Sequence, residues 1–162
     1  MLQVLERHQV RYVVIGGLAA TFHGSPLRTG DADICPAGSR EDRERLAAAL
    51  REMDARIRTP DVPAGLPFPC DAAFLGGVQV LNLQTRFGDL DLSFIPSGTD
   101  GYDDLNRHAV RYDLDGLTVP LASLADIIRS KKAANRDKDR AVLPTLEALL
   151  RSVGDGGSRQ PR

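Results

Sequence analysis

Tryptophan is missing from this 162-residue sequence, and aromatic residues make up only 5% of it. Few flat side chains remain on which single-stranded bases could stack, so any RNA would have to be held through its backbone and its 3′ end. Cysteine is nearly absent too. Cys35 and Cys70 are too few for a disulfide scaffold, which points to a reduced, cytoplasmic setting. No stretch approaches the ~18 apolar residues that a membrane span requires. The opening residues Met1-Leu-Gln-Val-Leu-Glu-Arg7 lack the basic region and apolar stretch of a secretion signal. There is no excess of either charge: 21 basic residues face 22 acidic ones, for a net charge of −1. That balance excludes a coat of basic charge for wrapping nucleic acid, although it leaves room for a local basic patch. Lysine itself is scarce, with Lys131, Lys132 and Lys138 as its only occurrences.

The residues that are present suit a soluble globular protein, 42% apolar and 27% charged. The length fits one domain, expected over residues 1–152, with the apolar-poor end at 153–162 read as a disordered C-terminal tail. Val10–Ile15 is a β-branched run that stops at Gly16-Gly17, a strand ending in a turn. A short helix is expected over 18–23, a strand over 32–35, and a helix from the Ser39-Arg-Glu-Asp42 start to about Arg56. Prolines 60, 63, 67 and 69 predict an extended loop over 59–70. Residues 78–85 alternate apolar and polar side chains and predict a hairpin with 90–95. Further helices are expected over 102–109, 123–134 and 137–151, with a short strand at 117–120.

The chemistry gathers around Asp31-Ala-Asp33. In a strand, residues two apart share a face, so both carboxylates point the same way. Two like charges that close repel unless a cation sits between them, and hard oxygen donors suit Mg²⁺ or Mn²⁺. The second hairpin strand offers Asp89 and Asp91. With Leu90, Leu92 and Phe94 facing the core, Asp91 falls on the open face, where it could complete a two-metal site. Gly16-Gly17, between a strand and a helix, could cradle phosphates with free backbone N–H groups. Arg28 and Thr29 add a planar cation and a hydroxyl just before Asp31. Each feature has a plainer reading as well: a solvated Asp-x-Asp face, a tight glycine turn.

Taken together, Val14-Ile-Gly-Gly-Leu-Ala-Ala-Thr-Phe-His-Gly-Ser-Pro-Leu-Arg-Thr-Gly-Asp-Ala-Asp-Ile34 resembles the signature of the nucleotidyltransferase superfamily with the DNA polymerase β-like fold. Phe87-Gly-Asp-Leu-Asp-Leu92 looks like its third-carboxylate strand. Residues 119–139, with Lys131 and the run Arg136-Asp-Lys-Asp139, look like its helical basic motif. Within the superfamily the pattern is most similar to the AbiEii-like and MenT-like bacterial toxins. The resemblance covers residues 8–152 and implies an α/β (α+β) fold: a small mixed sheet carrying the carboxylates, flanked by helices, with a C-terminal helical pair. It also implies roles. Gly16 and Gly17 would bind phosphates, and Asp31 and Asp33 would hold metal. Asp91 would bind the second metal and help deprotonate the acceptor hydroxyl. Lys131 would contact the triphosphate with Arg136 nearby, and Asp139 would orient Lys131 or another basic residue. In this sequence the arginine of the His-Gly-x-x-Arg pattern comes one position late, as Arg28. Asp89 competes with Asp91, but strand alternation and the Gly-x-x-Asp spacing favour Asp91.

Other side chains are more equivocal. His23 could touch phosphate or acceptor, or could pack the turn, and packing is favoured. Ser25 and Thr29 are expected to brace the loop, with a regulatory phosphorylation at Ser25 an idea borrowed from related toxins. Cys35 is expected to be a small buried side chain. The six basic residues between Arg129 and Arg140 are either a solvated helix face or a patch for phosphate or RNA. The expectation that emerges is transfer of NMP from an NTP to an acceptor hydroxyl by a toxin acting on the tRNA 3′ end, with a cognate antitoxin as possible partner. Two alternatives stand beside it. One is a small-molecule, antibiotic-type nucleotidyltransferase, against which the short chain counts. The other is a non-catalytic antitoxin or binding module, against which the three carboxylates count.

Overall fold

Strand-forming runs and helix caps set most of the elements in the computed structural model, which describes residues 1–156. In chain order they are α1 (Leu2–Arg7), β1 (Tyr12–Ile15), α2 (Gly16–Phe22), β2 (Asp31–Pro36), α3 (Arg40–Glu52), β3 (Arg56–Thr59), β4 (Val62–Leu66), α4 (Ala72–Gly76), β5 (Val80–Thr85), β6 (Gly88–Ser93), α5 (Tyr102–Arg107), β7 (Val110–Leu114), β8 (Leu117–Leu121), α6 (Leu124–Ala134) and α7 (Asp137–Gly156). The strands form one mixed sheet of eight, ordered β4-β3-β5-β6-β2-β1-β8-β7. This is the expected α/β architecture, with α6 and α7 as the C-terminal helical pair. None of the described helices is long and apolar enough to cross a membrane.

The pairing that matters most is β2 with β6, which run parallel and place Asp33 opposite Asp91 and Asp31 opposite Asp89. Alternation then divides the two strands by chemistry. Ile34, Leu90 and Leu92 are fully buried in the core, while the aspartates lie on the other face. Helix α3 covers the core side with Leu46, Ala47, Ala49 and Leu50. Its start follows from Ser39, whose hydroxyl accepts from the Asp42 N–H at 3.1 Å, and the buried Asp42 carboxylate accepts two hydrogen bonds from Arg11 at 2.7 and 2.6 Å. The helix stops at Glu52, short of the expected Arg56. Asp54 turns left-handed at φ 54°, and the Ala55 N–H closes on the Leu50 carbonyl at 3.0 Å.

The proline-rich segment corrects a second expectation. Instead of an extended loop, residues 56–66 form the β3–β4 hairpin, connected through Pro60-Asp61. Proline is tolerated there because β4 is the outermost strand, so Pro63 needs no N–H on its outer side. Elements α1, α4 and β7 join the architecture without having been anticipated. Helix α7 runs to Gly156, and the remainder of the segment read as a tail, 157–162, lies outside the described residues.

Candidate active site

Parallel pairing of β2 and β6 does for three carboxylates what local spacing does for two. Oxygen atoms of Asp31, Asp33 and Asp91 all come within 4.8 Å of one another. Burial pushes the Asp33 carboxyl up to about 6, and the neighbouring Asp31 and Asp91 charges add to that rise. Burial raises Asp91 as well, with Asp31 and Asp89 contributing, although Arg58 pulls it back. Three converging carboxylate oxygens are the donor set of a hard divalent cation, whose charge would offset their repulsion. Asp89 stands outside this group. It pairs with Arg58, and the same guanidinium donates to Asp91 Oδ1 at 2.7 Å.

The triad opens into a cavity of about 630 Å³, inside the ~300–1,000 Å³ range of small-molecule sites. Its lining includes Gly16, Gly17, Arg28, Lys131, Arg136 and Lys138 beside the triad. Helix α2 begins at the glycine pair itself. A Cβ on Gly16 would lie 2.5 Å from Asp33 Oδ2, and one on Gly17 would lie 2.9 Å from Thr29 Cβ. The glycines therefore let the β1–α2 backbone press against the carboxylate strand. Gly16 also holds φ at +63°, which disfavours any side chain. Gly16→Ala is accordingly expected to displace Asp33 and destabilise the protein by about 1–3 kcal/mol, read from thermal unfolding.

The remaining candidates fall into distinct places. Thr29 Oγ1 donates to Asp31 Oδ1 at 2.7 Å, so its hydroxyl orients a carboxylate. Ser25 is buried in the cavity wall, and its Oγ accepts from the Leu27 N–H at 3.3 Å. His23 turns away from the cavity, with Nε2 2.8 Å from the Ala122 carbonyl at the end of β8. Cys35 is fully buried. Asp139 has a side chain 0% exposed and accepts from Lys131 Nζ at 3.3 Å and from Arg136 at 2.6 and 3.2 Å. Burial alone would raise its pKa, but those hydrogen bonds hold it below the ordinary carboxylate value. The basic stretch at 129–140 is largely neutralised from within. Arg129 bridges to Asp104 and Asp126, Lys132 to Glu147 and Arg140 to Asp137. Among the described residues, Lys138 and Arg28 line the cavity with no ion pair.

No protein-family profile and no curated protein sequence matches the chain. Solved structures do. The lincosamide antibiotic adenylyltransferase LnuA, in its lincomycin-bound form, superposes with a TM-score of 0.59 at 15% identity, covering 91% of this chain and 92% of that one. TM1012 of Thermotoga maritima, a candidate nucleotidyltransferase, gives 0.54 at 16% identity over 93% of this chain and 88% of its own. The antibiotic-resistance factor ANT(2'')-Ia gives 0.57 at 15% identity over 96% and 81%. This is the nucleotidyltransferase fold.

Within the nucleotidyltransferase fold, sequence reasoning had missed Arg58 and Lys138. Arg58 was hidden by the prolines that made its segment look like a loop. Lys138 was visible in the lysine cluster but passed over for Lys131 and Arg136, both of which Asp139 engages.

Proposed function

We propose that this protein is a divalent-metal-dependent nucleotidyltransferase that moves a nucleoside monophosphate from an NTP to an acceptor hydroxyl. The observation that carries this reading is the carboxylate triad set in one cavity with the glycine pair, Lys131 and Lys138. Asp31, Asp33 and Asp91 would hold Mg²⁺ or Mn²⁺, whose charge polarises the reacting phosphate and acidifies the acceptor hydroxyl. The backbone at Gly16-Gly17, with Lys131 and Lys138, binds the triphosphate and stabilises the charge that builds on the leaving group. The acceptor oxygen forms a bond to the α-phosphorus, and the bond from that phosphorus to the α,β-bridging oxygen breaks, releasing pyrophosphate with the electron pair. The acceptor's proton would pass to Asp91, whose carboxylate stands within the triad.

For the acceptor, a small hydroxylated molecule is the favoured class. LnuA, whose name describes adenylyl transfer to lincosamides, has nearly the same extent as this chain, and the basic residues of 129–140 are mostly paired with the protein's own acids. The second reading keeps the toxin acting on the tRNA 3′ end, with a cognate antitoxin as partner. It is supported by the toxin-like pattern at residues 14–34 and by the free cations Arg28 and Lys138 at the cavity. Incubation with α-³²P-labelled NTPs, Mg²⁺, and separately total tRNA or a panel of lincosamides, aminoglycosides and simple polyols decides between them. Label is expected on a small molecule and absent when Asp31 and Asp33 are both alanine. Label on tRNA, with growth arrest on expression, would favour the second reading. No transfer from any NTP to any acceptor would overturn both.

A further inference from the structure

Arg58 sits on β3, two strands away from the strand that carries Asp91. Strand β3 pairs with β5, placing Arg56 opposite Gln84 and Ile57 opposite Leu83, while β5 places Asn82 opposite Asp91 on β6. Ile57 packs against the core, so alternation sends Arg58 to the open face with the carboxylates. From there it reaches across β5. Nη1 engages Asp89, and Nη2 donates to Asp91 Oδ1 at 2.7 Å. Among the described residues, Asp91 Oδ2 has no hydrogen-bond partner.

We propose that Arg58 is a positioning residue for the third metal-binding carboxylate, and that Asp89 is its anchor. The inference deepens the nucleotidyl-transfer reading and rests on it for the presence of a metal. A planar guanidinium can serve two carboxylates at once only in one orientation, so Asp89 fixes the plane of Arg58, and Arg58 in turn fixes Asp91. Engaging only Oδ1 leaves the other Asp91 oxygen to take part in metal binding. Ligating carboxylates depend on such outer partners, whose removal typically lowers metal affinity or activity ~10–100-fold. The Arg58 side chain is 30% exposed and belongs to the hairpin at the sheet's edge, so the bridge is expected to add no more than about 1 kcal/mol to global stability. A partly exposed side chain on an edge hairpin that reaches across β5 to grip one member of the triad bears directly on how that member is held. The same geometry gives Asp89 a task that its register opposite Asp31 does not.

The test compares wild type with Arg58→Gln, Arg58→Lys and Asp89→Asn in three measurements: Mn²⁺ binding by electron paramagnetic resonance with NTP present, kcat and KM for the NTP, and thermal unfolding. Arg58→Gln is expected to weaken Mn²⁺ binding and lower kcat by ~10–100-fold, with KM for the NTP within about twofold of wild type and the unfolding temperature little changed. Arg58→Lys should recover part of kcat, because one ammonium group can hold Asp91 without the fixed plane, and Asp89→Asn should fall between it and Arg58→Gln. Mn²⁺ binding and kcat at wild-type levels in Arg58→Gln would overturn the assignment. Equal losses in the glutamine and lysine variants, accompanied by a large fall in unfolding temperature, would overturn it too, by showing a purely structural role. If wild type binds no Mn²⁺ at all, the metal-dependent reading itself fails. If wild type binds and Arg58→Gln binds equally well, only the role of Arg58 fails.

Discussion

Asp33→Asn is expected to abolish nucleotidyl transfer, by roughly 10³-fold or more, and to make the metal-free protein more stable. Both effects come from one arrangement. The Asp33 carboxyl titrates at about 6 in the fold, against 3.8 for the free side chain, because burial and the charges of Asp31 and Asp91 oppose its ionisation. A carboxylate whose folded pKa is raised favours the folded state only while it is protonated. Its contribution is full below about pH 4, declines as pH rises through about 6, and is gone at neutral pH. The shift corresponds to at most roughly 3 kcal/mol, of which an uncharged asparagine should recover ~1–3 kcal/mol. At this chain length that is a rise of ~2–12 °C in unfolding temperature near pH 7.5 in EDTA. Added Mg²⁺ should stabilise wild type and leave the variant nearly unaffected, closing the gap. Differential scanning fluorimetry in EDTA and in Mg²⁺ checks the stability half, and labelled transfer checks the catalytic half. A variant less stable than wild type in EDTA would show that the triad is not held under electrostatic strain.

Asp139→Ala is expected to act in the opposite direction on stability, lowering it by about 3 kcal/mol while reducing kcat/KM by ~10–100-fold. Its side chain is wholly enclosed and accepts from Lys131 on α6 and Arg136 at the α6–α7 junction. Removing the carboxylate leaves the Lys131 ammonium, itself only 20% exposed, without its partner. Arg136 is more exposed and can turn to solvent, which keeps the loss below that of a fully trapped charge. Lys131 would also lose the contact that holds it at the cavity wall, so catalysis should fall even where the variant is folded. Asp139→Asn preserves shape and one acceptor and should be milder in both respects. Because the folded pKa of Asp139 lies below its unfolded value, the stability it supplies is present above the ordinary carboxylate range and is lost as pH falls through the folded pKa. Wild type should therefore lose an advantage over Asp139→Ala on acidification, seen as converging urea midpoints between pH 7 and pH 3. Midpoints that stay equally far apart would rule out this ionic contribution.

Elements built from neighbouring residues were readable in advance. The β1 run from Tyr12 to Ile15, the Ser39 and Ser123 caps and the β5–β6 hairpin all declare themselves within a few positions, and the structure follows them closely. The β3–β4 hairpin did not, because four prolines mask a strand pair whose outer member needs no ladder on its far side. The same limit applies to charge. Six basic residues in twelve positions read as a patch, yet Arg129 finds Asp104 25 residues away and Lys132 finds Glu147, so much of the patch never faces outward as free charge.

What the sequence determined by itself was the chemistry available at each point: two aspartates on one strand face, a glycine pair at a strand-to-helix turn, a third aspartate flanked by core leucines, and lysines gathered near one end. Period-two alternation and local turn preference are short-range effects, so they can be read directly from the order of residues. Only the tertiary structure decided which of these meet. Parallel pairing of β2 with β6 brought Asp91 beside Asp31 and Asp33, and Arg58, 31 and 33 residues distant, tied Asp89 and Asp91 to a strand hidden among prolines. Burial then set the charge state of Asp33 and the grip of Asp139, since desolvation depends on what surrounds a group in space and not on its neighbours along the chain.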